Sequence, residues 1–117
     1  MKQARKKSPK ISEAIIRGKK SLYNFDVIPL NAEFEDTSAI YVISKRKTDK
    51  RGKGHHRFIC IGQTDSVLKE IKKHQKAKCV KKHQANVVCL LKEADGEKRL
   101  RIEEDLRLAH SSICNYE

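Results

Sequence analysis

Tryptophan is absent from this chain of 117 residues, and only three Phe and three Tyr accompany it. A core must therefore be assembled from Ile, Leu and Val with those few aromatics. Long apolar runs are also missing. The longest, Ala39–Ile43 and Val87–Leu91, fall far short of the ~20 residues that a membrane span requires, so no membrane association is expected. The stretch Met1–Lys10 is basic but has no apolar centre and no cleavage site, and no signal peptide is expected from it. The four cysteines, Cys60, Cys79, Cys89 and Cys114, form no C-x-x-C pair. Two of them lie inside apolar strand-like runs, where cysteine behaves as a small hydrophobe. Free thiols and a reducing compartment, cytoplasmic or otherwise intracellular, are the expectation. The nearest approach to a zinc set, His74, Cys79 and His83, matches no usual zinc module. The length suits one domain with one modest core.

What the chain has in excess is positive charge, +12 in all, and its placement carries the information. Residues 1–20 hold eight Lys/Arg against Glu13 alone, residues 45–57 hold seven against Asp49, and residues 69–82 hold seven lysines against Glu70. Residues 26–36, by contrast, hold four acids and no base. Charge segregated in this way sets up local fields that attract polyanions. Nucleic acid is the expected partner, DNA ahead of RNA. An acidic protein surface and a membrane surface are the other candidates, the membrane the weaker because no basic segment carries a Trp/Phe/Leu-rich opposite face.

Periodicity organises the rest. Residues 1–10 read as a disordered basic arm. Ser12 reads as an N-cap, and Glu13 to Phe25 shows helical spacing with Ile15, Ile16, Leu22 and Phe25 inward. Residues 26–37 read as an irregular acidic connector, so 11–37 forms an N-terminal helix and connector ahead of a domain over 38–117. Ser38–Lys45 and His56–Thr64 read as strands with continuous apolar centres, joined by an exposed, mobile Lys/Gly-rich hairpin loop at Thr48–Gly54. Asp65 is placed to cap a helix over Ser66 to Gln75 with Val67, Leu68 and Ile71 inward. Ala77 to Gln84 fits either a helical extension or a basic loop. Ala85–Glu93 is a third strand. Glu97–His110 is a last helix burying Ile102, Leu106, Ala109 and, beyond it, Ile113. The expected class is α+β: a small three-stranded antiparallel sheet flanked by helices.

Ordered anchors run along residues 36–117: Ala39-Ile40-Tyr41, Cys60-Ile61-Gly62 followed by Gln63-Thr64-Asp65, then His74, Glu103 and Asn115. This order resembles the GIY-YIG nuclease family, with Ala-Ile-Tyr in place of the first triad and Cys-Ile-Gly in place of the second. The resemblance implies hydrolysis of phosphodiester bonds with one Mg²⁺. Glu103 would be the metal ligand, Tyr41 would help to activate water, and His74 would lie at the phosphate. A hard Mg²⁺ suits carboxylate and phosphate oxygens, and a fixed cation would meet the charge that grows in the transition state.

The departures from the pattern fall at the chemistry. Counting from Gly62, the family's arginine position is held by Glu70, an anion where a cation is needed. Lys69 and Lys73 leave the helix at other angles and lack the guanidinium fork. Cys60 removes the hydroxyl of the second triad. The expected function is therefore nucleic-acid binding on a nuclease-like fold with cleavage impaired or lost and no cofactor. Phosphate contacts would come from Lys69, Lys72, Lys73 and Lys76 and from the loop residues Lys50, Arg51 and Lys53. The alternatives are an active Mg²⁺-dependent endonuclease and a small subunit of a larger nucleoprotein assembly.

Overall fold

A computed structural model describes residues 10–114. The protein is α+β, built on a five-stranded, wholly antiparallel sheet with three helices. The strands are β1 (Ser12–Arg17), β2 (Leu22–Pro29), β3 (Ala39–Thr48), β4 (Gly54–Thr64) and β5 (Val87–Lys92). The helices are α1 (Val67–Gln75), α2 (Lys78–Lys82) and α3 (Gly96–Ala109). The sheet order is β1-β2-β5-β3-β4. Most of the expected basic arm, and Asn115, lie outside the described residues.

The expected N-terminal helix is corrected to a β-hairpin, and the expected three strands become five. Both periods fit this segment on paper. Within β2, Tyr23, Phe25 and Val27 turn inward while Leu22, Asn24 and Asp26 stay exposed, the alternation of a half-buried strand. Ile15 and Leu22, inward in a helical reading, are 71% and 61% exposed. Gly18 opens the turn, its N–H donating to Ser21 O at 2.7 Å. The decisive partner is distant in sequence: β5 offers β2 a free ladder, with Val27 paired to Cys89 and Ile28 to Val88. The acidic connector accordingly shrinks, because Asp26–Pro29 belongs to β2.

β3 is internal, as its continuous apolar centre predicted; β5 is internal too, whereas β4, with a similar apolar centre, lies at the edge. Every residue of Ala39–Ile43 and Val87–Leu90 is buried. One face of the sheet packs Ala39, Tyr41, Ile43 and Val88 against Val67 and Ile71 of α1 and Val80 of α2. The other packs Phe25, Val27, Ile40, Val42 and Cys89 against Leu106 of α3. Ser66 rather than Asp65 caps α1, accepting from Lys69 N–H. Its own hydroxyl donates to Asp36 at 2.6 Å. The ambiguous stretch after α1 resolves into the short α2, and Ala109 is exposed rather than buried.

β4 is an edge strand, and two of its outward carbonyls are covered. Arg107 of α3 donates to Ile61 O, and Cys114 N–H donates to Ile59 O at 2.7 Å. The tail after α3 thus runs along β4 and blocks the ladder that an open edge would offer to another chain. A disulfide joins Cys114 of this segment to Cys79 of α2. Two of the four expected free thiols are therefore paired. Cys60 and Cys89 are free and buried. A disulfide sits poorly with the reducing compartment expected from the sequence. No helix among the described residues is long and apolar enough to cross a membrane.

On the opposite side, Asp105 of α3 clips the first hairpin in place. Its carboxylate accepts from Lys20 N–H at 2.9 Å and from Tyr23 Oη at 2.8 Å. Burial acts to raise its pKa, but the Tyr23 hydroxyl and the Lys20 and Ser21 N–H groups outweigh it and hold the carboxyl below its ordinary range. A depressed folded value means stability that is fully present above the unfolded pKa of about 3.9 and lost as pH falls through the folded one. The stability gap between wild type and Asp105→Asn should therefore narrow as urea denaturation is repeated from about pH 6 down to about pH 3. A gap independent of pH would remove this role for Asp105.

Candidate functional site

The β3–β4 ladder sets the two sequence triads side by side, with Tyr41 opposite Gly62 and Val42 opposite Ile61. Tyr41 Oη lies over Gly62. A Cβ at that position would come within 2.5 Å of the hydroxyl, so the glycine is needed for close approach. α1 closes the site from above with two residues one turn apart, Glu70 and His74. Tyr41 Oη donates to Glu70 Oε2 at 2.7 Å. His74 Nε2 lies 2.9 Å from the same hydroxyl and 3.2 Å from the same carboxylate oxygen. With the tyrosine proton given to Glu70, a neutral imidazole donating through Nε2–H fits these contacts.

The electrostatics agree with that assignment. Tyr41 is 3% and His74 0% exposed. Burial pulls the His74 pKa down, and the opposing pull of Glu70 does not restore it. Burial raises the Tyr41 pKa well above that of an ordinary phenol, and the hydrogen bond to Glu70 adds to the effect. Beside them, burial above all pushes the Cys60 thiol up to about 11, with Arg107 opposing and Glu70 and Glu103 reinforcing. At neutral pH the site presents a phenol, a neutral imidazole and a thiol.

α3 reaches this site around the edge of β4. Glu103 and Arg107 are one turn apart, and Arg107 Nε and Nη2 lie 3.2 and 3.1 Å from Glu103 Oε2. Arg107 also caps Ile61 O within the second triad. Two arginines lie one turn from Glu103 along the helix, Arg99 and Arg107, and Arg107 is its partner. Arg99 instead donates to Gln63 Oε1 at 2.8 Å and to the Glu93 and Ala94 carbonyls.

No family model, curated protein or solved structure matches the chain.

Of the expected site residues, the fold thus brings together Tyr41 and His74 by direct contact and sets Glu103 within electrostatic reach of Tyr41. The donors do not fit a Mg²⁺ site as they stand. The Glu103 carboxylate is already engaged by a guanidinium, and Glu70 is engaged by Tyr41 and His74.

The expected phosphate-binding residues divide into two groups. Lys69, Lys72, Lys73 and Lys76 are all exposed along α1, and α2 continues the same charge with exposed Lys78, Lys81 and Lys82. Lys73 lies 4.0 Å from Glu70, whereas no carboxylate of the described residues pairs with Lys69, Lys72 or Lys76. Lys50, Arg51 and Lys53 are exposed at the far end of the hairpin. Seven residues of strand separate Thr48 from Tyr41, roughly 24 Å, so the fold does not bring this loop to the tyrosine. Nor is the loop without internal order. Asp49 accepts from the Arg51 and Lys53 N–H groups at 2.9 and 3.0 Å, its other oxygen meets His55 at 2.9 Å, and Gly52 takes a φ of +84°.

Sequence reasoning did not anticipate that Arg107 seals the strand edge, or that Glu70 seizes Tyr41. The i, i+4 spacing of Glu70 with His74 and of Glu103 with Arg107 was a usable signal for both.

Proposed function

We propose that this protein is a nucleic-acid-binding domain, for DNA ahead of RNA, on a GIY-YIG nuclease-like core that does not cut efficiently. The observation that carries the reading is the hydrogen bond from Tyr41 to Glu70. A tyrosine that must help to activate water has its proton committed to a carboxylate, at the position where the resemblance puts an arginine. An anion there also opposes the negative charge that grows on a phosphate in the transition state. The likeness to the family rests on the order of elements: the hairpin of triads, a helix with His74, a third strand, and a helix carrying Glu103. β1 and β2 extend that unit beyond β5.

Binding is supported by what surrounds the closed centre. α1 and α2 present lysines to solvent on the side of the sheet that holds Tyr41. Contacts of this kind position a protein on a phosphate backbone without reading sequence. Affinity for a duplex should then fall steeply with salt. Replacing Lys69, Lys72 and Lys76 together by Ala should flatten the slope of log K against log salt by about 0.9 per lost contact. Fluorescence anisotropy on a labelled duplex measures both. Salt-independent binding, or an unchanged slope in the triple variant, would refute the reading.

A further inference from the structure

Away from Tyr41, the described residues bring Cys79, His83 and Cys114 together, their ligand atoms all within 4.8 Å of one another. The trio His74, Cys79 and His83, which matched no zinc module in sequence, does not assemble: His74 is buried against Tyr41, and Cys114 arrives instead from a distant part of the chain. Cys79 and His83 are four residues apart on α2 and its C-terminal cap, so they share a face. Cys114 is delivered by the tail that runs along β4, held by its own N–H on Ile59 O. Thirty-five residues separate the two cysteines, so no local spacing rule would have paired them.

We infer that, with the disulfide reduced, Cys79, His83 and Cys114 form a thiolate–imidazole site for a divalent late first-row metal, Zn²⁺ being the best fit. Two sulfurs and one imidazole suit an ion of that softness, and no carboxylate competes within the group. Tetrahedral zinc with Zn–S of about 2.3 Å holds its ligand atoms about 3.8 Å apart, so on reduction the two bonded sulfurs must part by about 2 Å, about 1 Å each, while the imidazole closes in from no more than 4.8 Å. Three protein ligands leave a fourth position, and the site has room for it: Cys79 and His83 are only half-buried, while Cys114 is buried. The disulfide and the metal are alternative clasps of one tail. Reduction by a phosphine consumes one water, converts the disulfide to two thiols and the phosphine to its oxide. Binding of the ion then releases the two thiol protons.

The test uses the full chain reduced with a water-soluble phosphine and titrated with Co²⁺ as the spectroscopic probe. One equivalent should produce thiolate-to-cobalt charge transfer with the d–d bands of a tetrahedral ion, and Zn²⁺ should displace it. The oxidised protein should show neither band. Cys79→Ser and Cys114→Ser should abolish the charge transfer, and His83→Gln should weaken binding by more than the roughly tenfold lost with an outer-shell partner. Cys60→Ser and Cys89→Ser, which leave all three ligands in place, should keep the charge-transfer band wherever circular dichroism shows the fold retained. Reduced wild type without a charge-transfer band overturns the inference whatever the variants do, as does a band that survives Cys79→Ser. Far-ultraviolet circular dichroism on each variant separates lost ligation from lost fold.

Discussion

On the function proposed above, Glu70→Arg should nick supercoiled plasmid in Mg²⁺ where the wild type should not. The substitution acts twice. It removes the carboxylate that takes the Tyr41 proton at 2.7 Å, which lowers the cost of ionising the phenol. It also places a fixed cation where phosphate charge would develop. One preorganised transition-state contact is worth on the order of 10²–10³ in rate, and reversal of a charge is worth more, so the gain should reach at least that range. Cleavage by the variant requires Glu103 to exchange Arg107 for the metal, and Glu70→Arg with Glu103→Ala should therefore stay silent. Adding Cys60→Tyr should raise the rate further only if the buried strand accepts the larger ring, since overpacking costs about 1–3 kcal/mol. No nicking by a folded Glu70→Arg variant across several duplex, single-stranded and branched substrates would defeat the nuclease-like reading of the site. It would leave the salt-dependent binding to be judged on its own.

The second large effect concerns the first hairpin. Phe25→Ala should destabilise the whole domain by about 3–5 kcal/mol. Phe25 is fully buried, and it packs with Val27, Ile40, Val42 and Leu106 between the sheet and α3. A small domain typically holds about 5–15 kcal/mol in all, so this loss should move the entire urea transition. An N-terminal helix outside the domain would instead melt by itself and leave the main transition in place. Equilibrium unfolding followed by circular dichroism distinguishes the two. A separate early transition confined to part of the signal would contradict the five-stranded sheet.

Several features could be read directly. β3 and β5 were legible because an apolar run of strand length, flanked by polar residues, has few other places to go. α3 was legible from the spacing of Ile102 and Leu106 and from Asp95-Gly96 ahead of it. The first hairpin was not. Ile15, Ile16, Leu22 and Phe25 satisfy a helical stripe, and only the free edge of β5 decides for the strand. The pairing of Cys79 with Cys114 was equally hidden, because it depends on the path of the tail around β4.

The same division holds for charge, with which the chain announces itself. Sequence alone determined that positive charge is concentrated in separate blocks, that no span for a membrane exists in the longest apolar runs, and which residue types stand at the triads. Those are properties of composition and order, and no packing can alter them. Tertiary structure decided what the blocks and triads face. It set the lysines of α1 on the side of Tyr41 and the loop Lys50, Arg51 and Lys53 at the far end of the hairpin. It also joined Tyr41 to Glu70 and His74, and Arg107 to the carbonyl of Ile61. The reason is physical: a hydrogen bond or ion pair depends on distances of about 3 Å, and residues tens of positions apart acquire such distances only when the sheet brings them together.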